Sequence, residues 1–169
     1  RSFSKEVKQL RLGQGDTFHG EGILAVTKAL LQSGVSYVGG YQGAPISHLM
    51  DVLVDAEDLL SELGVHLEAS TSEAAAAAML GASINYPLRG AVTWKSTVGT
   101  NVASDALSNL ASAGVTGGAM IVLGEDYGEG SSIIQERSHA FAMKCSVWLV
   151  DPRVNHPRIV DLVEKSFKN

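Results

Sequence analysis

The stretch "STSEAAAAAMLGAS", residues 70–83, sets a single carboxylate, Glu73, at the head of five consecutive alanines. Two chemistries fit this pattern. The first is a capping box: Ser70 serves as N-cap, and Glu73, three residues on, reaches back to it. A carboxylate in a first helical turn also complements the helix dipole. The second is a proton-handling site. Alanines and Gly81 strip the helix of bulk, so another surface can approach closely, and an acid buried against a heteroaromatic nitrogen can hold or donate a proton near neutral pH when desolvation raises its pKa. Spacing alone leaves both readings open, and one residue can serve both.

Three other stretches carry reactive or ligand-holding groups. "WKSTVGTN" (94–101) combines Gly99 with hydroxyls and could present backbone N–H groups to an anion or a ring. Lys95 within it could pair with a carboxylate, although an isolated lysine is usually solvated. "GEDYGEGSS" (124–132) gathers Glu125, Asp126 and Glu129. Clustered acids point to a divalent cation, but the ordered oxygen donors of a calcium loop are missing, so no metal site is assigned to this chain. Ser131, Ser132 and Gln135 are pocket candidates, and Arg137 or His139 could hold a substrate carboxylate. "GYQGAPIS" (40–47) reads as a strand-to-helix turn, with Pro45 in the first helical turn, Ser47 capping, and Tyr41 and Gln42 left over for a pocket. The five histidines (19, 48, 66, 139 and 156) have no zinc-like spacing. No nucleophile elbow, phosphate loop or dinucleotide fingerprint occurs.

These groups need a frame. Apolar, β-branched runs at 35–41, 64–70, 90–96, 118–124 and 145–151 read as strands covered on both faces. Helical patterns fall between them, near 20–33, 46–61, 72–86, 101–113 and 154–167, with a short helix at 131–142. Gly34 marks the end of the first. The lone cysteine, Cys145, opens the fifth run and reads as a core residue. The alternation predicts one α/β domain over 1–169, a doubly wound, mainly parallel sheet with helices on both faces. Ligands sit beyond the carboxyl ends of strands in such sheets. The carboxyl-end loops hold every stretch discussed above, whereas the opposite loops, "QSGVS", "ELGV", "YPLRG" and "SAGVTGG", are short turns.

Composition agrees with one compact, globular domain and not a disordered chain: 169 residues, 45% hydrophobic, 18% charged, net charge −5. The absence of a basic block argues against nucleic acid or an anionic membrane as main partner. No apolar run has the length of a membrane span, and the first residues lack a signal-peptide core. One cysteine gives neither a disulfide framework nor a cluster site and fits a reducing cytoplasm. An arginine start and a charged, helix-like tail lead us to expect a piece or subunit of something longer.

Taken in order, "GYQGAPIS", "SEAAAAAMLGAS", "TWKSTVGTNVASDAL" and "GAMIVLGEDYGEGSS" resemble the pyrimidine-binding domain of thiamine-diphosphate enzymes. The likeness is to the 2-oxoacid:ferredoxin oxidoreductases, of the indolepyruvate oxidoreductase alpha-subunit type, and covers residues 20–151. The resemblance implies that Glu73 is catalytic. It would contact the aminopyrimidine N1′ and promote the tautomer that helps remove the thiazolium C2 proton before a 2-oxoacid is decarboxylated. It also implies cofactor contacts at Tyr41, Gly43, Ala77, Ser96, Thr97, Gly99 and Asn101. A substrate pocket would be drawn from Gln42, Ala44, Pro45, Lys95, Asp126, Ser131, Ser132 and Arg137. In the family's pattern, nearer G-Y-P-G-T-P, a proline stands where this chain has Gln42 and a threonine where it has Ala44, so no hydroxyl is offered at position 44.

The resemblance further implies a cofactor shared with a second domain or subunit. No G-D-G occurs here, so that partner would hold the diphosphate through Mg2+. No cysteine pattern for iron–sulfur clusters occurs either, so the clusters, coenzyme A and the contact with ferredoxin belong elsewhere in the complex. A homo-oligomer is expected, with the alanine-rich helix and the helix after Gly99 as contacts, in a homodimer or with the diphosphate-binding domain. The product would be an acyl-CoA. The rival from another class is a non-catalytic α/β module for assembly or small-ligand binding.

Overall fold

The computed structural model describes residues 1–128, 130, 137–153 and 157–168. Four strands, β1 (Tyr37–Gly40), β2 (His66–Ala69), β3 (Arg89–Lys95) and β4 (Gly118–Gly124), form one sheet in the order β2-β1-β3-β4. Every neighbouring pair is parallel, with Tyr37 opposite both His66 and Gly90, and Arg89 opposite Gly118. β1 is buried throughout, as are the five inner residues of β3, which accounts for their continuous apolar runs. β2 lies at an edge and leaves His66 and Glu68 in solvent.

Helices cover both faces, as a doubly wound sheet requires. Helices α1 (Gly22–Gln32), α2 (Ser47–Asp55), α3 (Glu57–Glu62) and α9 (Ile159–Phe167) close one face, where Leu30, Val38, Met50, Leu53, Leu60 and Phe167 share a core. On the other lie α4 (Glu73–Met79), α5 (Ala82–Asn85), α6 (Val98–Val102), α7 (Ser104–Ala113) and α8 (Ser138–Cys145). There Ala76, Ala77 and Leu80 meet Tyr37, Val92, Trp94, Ala103 and Leu107. The small residues of α4 let it sit close to β1, β3 and α7, while Ala75 and Ala78 form its outer face. A short 3-10 helix at Glu6–Arg11 packs the amino-terminal segment beside α1, anchored by Lys28 Nζ, which donates to the Leu10 and Leu12 carbonyls.

Helix α1 ends as expected, with Gly34 at φ +73. Three expected helices are broken: 46–61 divides at Ala56, 72–86 divides after Met79, and 101–113 starts earlier, at Val98, and divides at Ala103. The fifth strand, expected at 145–151, is absent: Cys145 is the last residue of α8, Ser146 is left-handed, and 147–151 has no regular structure. A short apolar run does not by itself distinguish a strand from other structure. Cys145 is half-buried against the core around Trp94, and Val147, Trp148 and Val150 are exposed. Residues 131–136 and 154–156 of the two expected helices lie outside the described residues; α8 runs three residues past the first, and α9 covers the second from Ile159 to its expected end, with 157–158 in a turn. Among the described residues no helix is long and apolar enough to cross a membrane.

Candidate functional site

The chain order reverses between β1 and β3: from β1 it moves outward to β2, then returns to β3 and continues to β4. A crevice beyond the carboxyl ends of the strands is expected at such a switch point. The β1–α2 loop lies across it. An atom placed at a Gly43 Cβ would be 2.7 Å from Lys95 Cβ, and one at Gly124 would be 2.5 Å from Ile46 Cβ. Tyr41 N–H donates to the Thr93 carbonyl at 3.0 Å.

Glu73 stands beside this edge. It is the first residue of α4, and Ser72, not Ser70, caps the helix by accepting from Ala75 N–H at 3.2 Å. The capping-box reading is therefore corrected. Ser70 N–H still donates to the Gly40 carbonyl, so the β2 edge is not yet finished where that box would begin. Glu73 is only 8% exposed, and among the described residues no hydrogen bond or ion pair holds its carboxylate. Its carboxylate oxygens are not among the sealed, unpartnered polar atoms, so the nearly enclosed residue keeps its acid group in contact with solvent at this edge. Gly99 covers it: a Cβ there would lie 2.9 Å from Glu73 Cγ and 2.3 Å from Trp94 Cδ1. Trp94 is fully enclosed and donates from Nε1 to Thr100 Oγ1 at 3.2 Å.

The loop carrying Gly99 is held from two sides. Thr97, at φ 57 and ψ −67, turns the chain into α6, and its carbonyl accepts from Asn101 N–H at 2.7 Å. A positive φ is unfavourable for a β-branched residue, so surrounding bonds must enforce it. Ser96 supplies them: its hydroxyl lies 2.7 Å from Ser138 Oγ and 3.2 Å from Glu125 Oε1, and its N–H donates to the Gly124 carbonyl at 3.0 Å. Glu125 Oε1 also accepts from Ser138 N–H at 2.6 Å. Burial opposes ionisation of Glu125, but hydrogen bonds from Ser138, Tyr127 and Ser96 outweigh it and hold the carboxyl below its usual range. The hydrogen bond to Glu125 in turn pushes the Tyr127 hydroxyl up to about 12, with burial and the nearby carboxylates adding to it.

A cavity of about 350 Å³ is lined by Gly40, Tyr41, Gln42, Met50, Ala69 and Ser70. Ser70 Oγ is buried there without a hydrogen-bond partner.

Compared with curated proteins, the chain is 28% identical over 159 residues, 94% of its length, to an indolepyruvate oxidoreductase subunit IorA of Methanothermobacter marburgensis. It is 29% identical over 132 residues, 78% of its length, to that of Thermococcus kodakarensis. With that of Archaeoglobus fulgidus it shares 30% over 130 residues, 76% of its length. The chain belongs to the 2-oxoacid:ferredoxin oxidoreductase family. It spans 25%, 20% and 20% of the lengths of these three relatives, respectively. No family model matches it.

Within this oxidoreductase-family chain, the expected site residues divide into three groups. Glu73 and Gly99 meet above Trp94. Ser96 and Thr97 belong to the network built on Glu125, and Asn101, exposed on α6, follows them. Tyr41 and Gln42 line the cavity, with Gly43 packed on Lys95 nearby. Ala77 is 1% exposed and packs among Tyr37, Val92 and Trp94, so it supports α4 from within the core and offers no open surface. Ala44 and Pro45 are exposed in the β1–α2 loop. The Asp126 carboxylate accepts from Gly130 N–H at 3.1 Å, a local turn, and the exposed Arg137 guanidinium lies 4.9 Å from the Tyr127 ring centre. Ser131, Ser132, Gln135 and Glu129 lie outside the described residues. Among the described residues no group of three or more His, Cys, Asp or Glu is placed to hold a metal. Sequence reasoning missed Ser138, read Ser70 only as a helix cap, and read Glu125 only as a member of an acidic cluster. Its place immediately after β4, opposite the loop that ends β3, was the signal available.

Proposed function

We propose that this chain is the pyrimidine-binding half of a thiamine-diphosphate-dependent 2-oxoacid:ferredoxin oxidoreductase acting on an arylpyruvate-like substrate. The observation that carries the reading is Glu73: a residue only 8% exposed, its carboxylate open to solvent and without a partner among the described residues, at the carboxyl edge of a parallel sheet. Such a group suits the protonatable nitrogen of an aromatic ring brought from outside. The close approach permitted by Gly99 and the hydroxyl-bearing Ser96–Thr97 turn suit a flat ring beside it.

When bound, thiamine diphosphate supplies the electron sink for decarboxylation of the 2-oxoacid. Glu73 holds and moves the proton at the aminopyrimidine N1′. Tyr41, Gly43, Ser96, Thr97, Gly99 and Asn101 frame the ring, and Gln42 and Lys95 face the substrate. The diphosphate and its Mg2+ are held by a partner domain or subunit, completed as a homo-oligomer in the cytoplasm. Iron–sulfur clusters, coenzyme A and ferredoxin act in other parts of the assembly, and the product leaves as an acyl-CoA. The length of the curated relatives, four to five times the matched segment, leaves room for these parts.

The test is C2-proton exchange of bound thiamine diphosphate, followed by NMR in the chain assembled with its diphosphate-binding partner. Glu73→Gln should slow exchange by about 100-fold or more, the scale of a lost proton-transfer group. Unchanged exchange would refute the catalytic role and favour the assembly or small-ligand module, for which the missing hydroxyl at Ala44 already speaks.

A further inference from the structure

We propose that Glu125 is a positioning residue, which clamps the Ser96–Thr97 turn to the start of α8 and so fixes Gly99 against Glu73. The clamp is visible in its bonds. Glu125 Oε1 accepts from Ser138 N–H at 2.6 Å and from Ser96 Oγ at 3.2 Å, and the two serine hydroxyls lie 2.7 Å apart. One oxygen thus joins the end of β3, the end of β4 and the first residue of α8.

The turn it holds would not stay in place unaided. Thr97 has a backbone conformation that a β-branched residue resists. The glycine two positions on sits where any side chain would strike Glu73 and Trp94. A small relaxation of the turn toward ordinary φ would therefore move α6 relative to the Glu73 carboxylate. Charge-assisted hydrogen bonds are about twice as strong as neutral ones, which explains a carboxylate rather than a third hydroxyl at this junction. Ser96 and Ser138 are both buried, so the clamp works largely shielded from competing water.

The consequence for proton handling at Glu73 rests on the function proposed above; the clamp itself does not. Two readouts keep them apart. The first is hydrogen–deuterium exchange of the full chain without ligand, comparing the amides of 97–101 with those of β1. In Glu125→Ala the amides of 97–101 should exchange about tenfold faster, the scale of one lost hydrogen bond to a charged group, with β1 unchanged. Glu125→Gln keeps an acceptor and should stay within about threefold of wild type. Ser138→Ala, which keeps its N–H but loses the hydroxyl link, should fall between and serves if Glu125→Ala does not fold. Unchanged exchange at 97–101, or an equal rise across the sheet, overturns the proposal. The second readout is C2-proton exchange in the assembled enzyme, which Glu125→Ala should slow while Glu125→Gln preserves it. If wild type gives no C2 exchange, the functional reading fails while the amide data still decide the clamp. If wild type exchanges C2 and Glu125→Ala does so at the same rate, the link from clamp to Glu73 fails.

Discussion

Replacing Gly99 with alanine sets two opposing effects against each other at the residue covering Glu73. Helix propensity favours alanine over glycine by up to about 1 kcal/mol, and Gly99 lies inside α6. Space opposes it. The new Cβ would fall 2.3 Å from Trp94 Cδ1, 2.8 Å from Trp94 Cγ and 2.9 Å from Glu73 Cγ. Trp94 is fully buried and its Nε1 is tied to Thr100, so it cannot swing aside. Overpacking of this kind costs roughly 1–3 kcal/mol. The clash should win, leaving a net loss of about 1–2 kcal/mol. For a domain of this size that lowers the melting temperature by roughly 2–8 °C. Thermal and urea unfolding followed by circular dichroism measure it. A double-mutant cycle with Glu73→Ala sharpens the result, because that change removes one of the two obstructing side chains. Residues in contact typically couple by about 0.5–3 kcal/mol, and the sign here should be a partial rescue. If Gly99→Ala raises stability by the propensity term alone, or shows no coupling to Glu73, then α6 does not press on the carboxylate and the site geometry described above is wrong.

Two further outcomes follow from the same packing. Gly90→Ala would place a Cβ 1.9 Å from Tyr37 Cζ and 2.3 Å from its hydroxyl, which is bonded to Ser83 Oγ at 2.5 Å. We expect a loss above about 3 kcal/mol in urea unfolding, partly recovered by Tyr37→Leu; a loss below 1 kcal/mol would contradict the close strand–ring contact. The depressed Glu125 pKa makes a stabilising contribution that is fully present above its ordinary value of 4.5 and is lost as pH falls through the lower folded-state value. A stability gap between wild type and Glu125→Gln should therefore close on acidification below pH 4.5, and a gap that widens there would reverse the assignment.

The frame was legible because strand and helix periodicities differ. β1, β3 and β4 are apolar runs between glycine-bearing turns, and each lies within a residue or two of its expected position. The candidate edge was chosen from loop chemistry, and the loops rich in glycine, hydroxyl and acidic residues do lie at the carboxyl ends of the parallel strands. Other features depend on contacts distant in sequence. Nothing local in "ASTSE" distinguishes Ser70 from Ser72 as a cap; the Gly40 carbonyl decides it by keeping Ser70 in the sheet. Glu125 and Ser138 are thirteen residues apart and meet Ser96 only because β3 and β4 are neighbours. "CSVWLVD" looked like a strand because four apolar residues in a row are ambiguous, and α8 claims Cys145 before a strand can begin. The divided helices reflect tertiary packing, which moves helix ends at residues such as Ala56 and Ala103 without any glycine or proline to mark them.

The chain's two tryptophans occupy opposite environments: Trp94 is wholly enclosed beside Gly99 and Glu73, and Trp148 is 57% exposed. Light absorbed near 295 nm therefore excites one indole in an apolar setting and one largely in water. A water-borne quencher reaches the second far more readily than the first. The emission that survives quenching comes from the ring that shares its wall with the candidate carboxylate. The protein thus carries its own optical label at the place where a ligand would be felt, and replacing the outer indole would leave that label alone.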